Sequence, residues 1–128
     1  MYKSTLLFFI LTSLFFIACS SNDGPTMEIQ SPADGSIYAQ GDSISITGVA
    51  TDDVAVTRID LLIESDNAPD QQQEIDISTA SNLTEIFFQL GLLLDPNVTT
   101  GPYEFTLTFT AYDEDGQSDD DSVSLKVE

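Results

Sequence analysis

In residues 103–111, Tyr103-Glu104-Phe105-Thr106-Leu107-Thr108-Phe109-Thr110-Ala111, an apolar or aromatic side chain stands at every second position, with Glu or Thr between. Successive side chains of a strand point to opposite faces, so this spacing predicts a half-buried β-strand with Phe105, Leu107 and Phe109 inward and Glu104, Thr106 and Thr108 outward. The same period recurs in 43–50, which turns Ile44, Ile46 and Ala50 inward, in 58–64 through Ile59, Leu61 and Ile63, and in 122–127. Shorter strands are expected at 26–30 and 74–78. Turn formers separate the runs at 31–35, 40–42, 67–70, 95–97 and 115–116. One segment reads two ways. Leu83, Ile86, Phe87 and Leu90 fit helical spacing, and Asn82 with Glu85 has the form of a capping box. The pair Phe87-Phe88 and the helix-weakening Gly91 favour a strand over 85–94. About seven short strands without a convincing helix predict an all-β, antiparallel sandwich.

The N-terminus has a different grammar. Lys3 is followed by a largely apolar run of 13 residues, 6–18, too short for the roughly 20 residues that span a bilayer. A basic start, an apolar stretch and a small residue before a cut site form a signal peptide. The ending Phe16-Ile17-Ala18-Cys19 resembles the lipobox of bacterial lipoproteins, with Phe16 where leucine is usual. The resemblance implies cleavage after Ala18, lipid on Cys19, and attachment to a membrane through that lipid. Ser20-Ser21-Asn22-Asp23-Gly24 resembles the start of lipoproteins displayed on the outer membrane surface, and its composition also suits a plain tether. The expected organisation is a signal peptide at 1–18, a lipidated cysteine and tether at 19–25, and one domain at 26–128.

Cys19 is the only cysteine, so no disulfide can form within one chain and the exported domain must hold by packing alone. Loss of residues 1–18 removes Lys3. Arg58 and Lys126 then stand against 22 acids, a formal charge of 2 − 22 = −20. Nucleic-acid binding needs Lys and Arg to displace counterions from phosphates, and two basic residues exclude it.

A family likeness rests on Gly101-Pro102-Tyr103 through Ala111-Tyr112-Asp113-Glu114-Asp115-Gly116, and on Ser31-Pro32-Ala33-Asp34-Gly35, Gly41-Asp42 and Ala50-Thr51-Asp52-Asp53. These stretches resemble bacterial Ig-like domains of the PKD and cadherin-like kind, over about residues 26–128. The resemblance implies an Ig-like sandwich acting as a spacer, adhesin or carbohydrate-contacting module. The tryptophan frequent in Ig cores is absent.

The sequence contains no histidine, and its one cysteine is assigned to the anchor. Histidine-dependent nucleophilic catalysis and zinc sites with nitrogen or sulfur ligands are therefore unavailable. A hydrolase would have to use paired carboxylates. Asp52, Asp53, Asp113 and Asp115 lie in loops that an Ig topology brings to one end, and calcium is the cation such oxygens would take. The competing reading is solvated turn acids, since aspartate is an ordinary turn residue. Asp119 to Asp121 are expected in the same final loop as Asp113. The partners expected are a membrane, through Cys19, and a protein or a glycan, for which Tyr38 and Tyr112 are the candidate contacts.

Overall fold

The computed structural model describes residues 23–80, 82–95 and 102–128. The expectations for the signal peptide, Cys19 and most of the tether fall outside these residues. The described residues form eight strands: β1 (Thr26–Ser31), β2 (Ile37–Tyr38), β3 (Ser43–Thr51), β4 (Val56–Ser65), β5 (Ala68–Ile75), β6 (Glu85–Leu93), β7 (Tyr103–Asp113) and β8 (Ser118–Val127). They make two sheets, ordered β1-β3-β6 and β2-β8-β7-β4-β5. Every pairing is antiparallel except the short parallel contact of β2 with β8. The all-β sandwich is as the alternation predicts.

Period two sets the core. Ile44, Ile46 and Ala50 of β3 are buried against Phe105, Leu107, Phe109 and Ala111 of β7, and Ile59, Leu61, Leu125 and Val127 complete the layer. Gly48 sits among the inward positions of β3, directly opposite Phe88 of β6. The Phe88 ring reaches over it and stacks on Phe109 of the other sheet, with centroids 4.9 Å apart. A Cβ on Gly48 would stand 2.3 Å from Phe88 Cζ, so the missing side chain is what admits the ring. Thr106 and Thr108 are half-buried rather than exposed. Their hydroxyls pair across the strand with those of Ser124 and Ser122, at 3.1 and 2.9 Å.

The segment that reads two ways is a strand, as Phe87-Phe88 and Gly91 favour, and Asn82 caps no helix: its Oδ1 accepts from the Thr84 N–H and hydroxyl in a turn. Two boundaries differ from the sequence reading. Where a turn at 67–70 and a strand at 74–78 are expected, β5 already begins at Ala68 and ends at Ile75. Pro69 is tolerated because β5 is an edge strand, where one missing N–H costs no ladder bond. Lastly, β8 starts at Ser118, so Asp119 to Asp121 are strand residues and not loop residues.

Truncating Phe109, fully buried at the centre of this layer, is expected to cost about 3–5 kcal/mol on Phe109→Ala, and Thr108→Ala under about 1 kcal/mol. Gly48→Ala should cost about 1–3 kcal/mol by displacing Phe88. Urea denaturation of the three variants checks the ranking.

Candidate functional site

The inward faces of β3 and β7 end in acids at the same end of the sandwich. Asp52 follows Ala50 in the alternation, and Asp113 follows Ala111; both are buried, at 8% and 4% exposure. Asp52 Oδ2 accepts the N–H groups of Val54 and Ala55 at 2.9 and 2.8 Å and so shapes the β3–β4 connection. Asp113 Oδ1 accepts those of Asp115 and Gln117 at 2.9 and 2.8 Å and closes the β7–β8 turn, where Gly116 adopts φ 79°. Asp113 lies opposite Val56 in the ladder, next to the Ala55 amide that Asp52 holds. The other oxygen of each carboxylate, Asp52 Oδ1 and Asp113 Oδ2, is buried with no hydrogen-bond partner.

Asp53 and Asp115, the other two acids expected here, are exposed. Asp53 is next in sequence to Asp52 and takes the opposite side, while Asp115 faces solvent because it lies in the turn that follows β7. Among the described residues, no three Asp, Glu, His or Cys side chains group to hold a metal ion.

Two more inward acids escape a reading that treats 119–121 as loop. The alternation of β8 carries Asp119 and Asp121 on the same face as Val123, Leu125 and Val127. Asp119 Oδ2 accepts the Met27 N–H at 2.9 Å, and Asp121 Oδ2 that of Ile29 at 2.8 Å. Side-chain carboxylates thus satisfy the outer edge of β1, where another strand would otherwise dock. Parity counted back from Val123 is the signal that finds them.

The basic residues are committed elsewhere. Arg58 lies 3.3 Å from Asp60 Oδ2 and 4.0 Å above the Tyr112 ring. Its pKa is raised chiefly by a hydrogen bond to the Tyr112 side chain, which outweighs the opposing effect of burial, and the charge of Asp60 adds a lesser rise. Lys126 meets Glu104 at 3.1 Å, at the opposite end of β7 and β8. Tyr38 pairs with Val127 and Tyr112 with Ser118, which places the two tyrosines at opposite ends of β8.

A cleft of about 470 Å³ opens beside β6, between Ile75, Ile77, Ile86 and Phe88, with Asp76 and Glu85 on its walls. The Asp76 carboxyl is held below the usual range by the Ser78 hydroxyl and the Ser78 N–H, the latter at 2.9 Å.

Compared with known proteins, residues 25–119 match the family described as bacterial Ig domain. No curated protein matches. Among solved structures, the chain is similar to a Niemann-Pick type C2 protein from Japanese carpenter ant, with a TM-score of 0.51 and 10% identity over 85% of this chain and 96% of that one. At that identity the likeness concerns the sandwich architecture alone.

Asp121→Ala should cost about 1–3 kcal/mol, because the half-buried Ile29 amide loses its acceptor. Asp120→Ala, on the exposed face of the same strand, should stay within about 0.5 kcal/mol. Chemical denaturation separates the two.

Proposed function

The chain belongs to the bacterial Ig domain family, and from that premise we propose that it is a non-enzymatic interaction or spacer module tethered to the outer membrane of a bacterial envelope by lipid on Cys19. The observation that carries the reading is the family match over 25–119, which covers β1 to β7 and the first two residues of β8. The chemistry of the acids agrees with it. The inward carboxylates accept from backbone N–H groups, which is a structural task.

Contact with a protein partner is favoured over a glycan. Phe87 and Leu93 are 66% and 69% exposed on the outward face of β6, an edge strand whose only partner among the described residues is β3. Exposed apolar side chains beside an unpaired edge suit association with another polypeptide. The tyrosines that would stack on a sugar chain are instead separated by the length of β8, about 30 Å for nine residue steps.

The anchor is tested by fractionating cells that express the full-length chain. Wild type is expected in the membrane fraction and Cys19→Ser in the soluble fraction. A serine variant that stays in membranes at the wild-type level would remove the lipid anchor from the account.

A further inference from the structure

The two sheets end in four outer strands, β1, β6, β2 and β5, and three of these are guarded against a further strand. β1 gives its N–H groups at Met27 and Ile29 to Asp119 and Asp121. β2 is two residues long, and β5 carries Pro69, Asp70 and Glu74. Short length, proline and charge are the ordinary guards of an edge. β6 has none of them. It runs nine residues in unbroken register with β3, holds no proline, and carries its single charge, Glu85, at its first position. In a chain with 22 acids, residues 86–94 contain none.

The flank beside this edge is open. Three cavities of about 470, 80 and 260 Å³ lie with β6 as one wall and residues of β4 or β5 as the other. Leu90 borders the first two, and Ile63 and Leu92 the last two, so they form a row along the strand. Leu90 and Leu92 are only half-buried there, whereas Ile86 and Phe88, on the same inward face, are buried.

We propose that the β6 edge and this row of cavities receive an extended segment of another polypeptide as a fourth strand of the smaller sheet. The segment runs antiparallel to β6, has apolar side chains at alternate positions, and carries a Lys or Arg near its C-terminal end. This deepens the protein-partner reading above and rests on it. Half of the backbone N–H and C=O groups of β6 point away from β3, and an added strand pairs with them. Every second side chain of that strand points to the face of Leu90 and Leu92, and so into the cavities. Its other side chains meet Phe87 and Leu93 on the outward face. Charge sets the direction. Asp76 and Glu85 border the largest cavity, at the N-terminal end of β6, and neither Arg58 nor Lys126 borders any of the three. An antiparallel strand brings its C-terminal residues to that end. A second copy of this chain fits less well, because the inward residues of its own β6 are committed to its own core and two strongly acidic domains repel.

The test pans a random library of nine-residue peptides, the length of β6, on the purified full-length protein, then follows amide hydrogen exchange with the winning peptide bound. Enriched peptides should carry an apolar residue at every second position and Lys or Arg near the C-terminus. On Glu85→Lys, an exposed position, the basic preference should be lost and the apolar alternation kept. Bound peptide should slow exchange at alternate amides of β6 by about tenfold or more. Peptides that lack the alternation, or that bind without protecting β6, would overturn strand addition and leave a protein contact elsewhere on the domain standing. Enrichment of no peptide would overturn the inference together with the protein-partner reading. Dimers that protect the β6 amides without any peptide would assign the edge to a second copy and overturn it as well.

Discussion

Packing of the inward faces of β3 and β6 against β7 is the contact on which the rest of the domain depends. With a single cysteine in the chain, no internal disulfide can share the task, and the two sheets hold together through apolar burial. The contact is tightest where Phe88 leans over Gly48 to stack on Phe109. Glycine is a poor strand former by itself. Here its weakness is offset by an aromatic ring that covers the bare backbone and bridges the layers, so a locally unfavourable residue serves the global packing.

The unequal widths of the sheets account for the inward acids. Three strands face five, so the first half of β8 meets the edge of β1 instead of the face of a strand. Apolar residues there would leave the outward N–H groups of Met27 and Ile29 without acceptors. Aspartates supply acceptors, and a charged acceptor makes the stronger hydrogen bond. They also guard an edge that would otherwise recruit another strand. In a domain of such negative charge these carboxylates are more than solvated decoration, because they are built into the closure of the sandwich.

Much of this was legible in the sequence, and the misses have physical causes. The strands β3 and β7 read directly because one face of each is buried and the other is not. β5 did not, since Pro69 and the polar run Asp70 to Glu74 look like a turn and are tolerated only at a sheet edge. The start of β8 was hidden by Asp119-Asp120-Asp121, which composition assigns to a loop although parity assigns two of the three to the core face. At the acidic end, the gathering of loops was foreseeable from an Ig topology. Extending the alternation of β3 and β7 beyond their apolar residues finds the inward Asp52 and Asp113 and sets Asp53 outward, but Asp115 shares the parity of Asp113 and faces solvent only because the chain turns after β7. That one oxygen of each buried carboxylate lacks a partner is a fact of tertiary packing that no spacing encodes.

The central claim is that inward aspartates close the sandwich by accepting backbone N–H groups that no strand reaches. Native-state hydrogen exchange at Met27 and Ile29 tests it most directly, because these two amides point away from β3 toward Asp119 and Asp121. The account predicts that both exchange only through large-scale opening, with protection close to that of the central amides of β3 and β7. Exchange at Met27 and Ile29 as fast as at outward-facing amides of the edge strand β5 would contradict it.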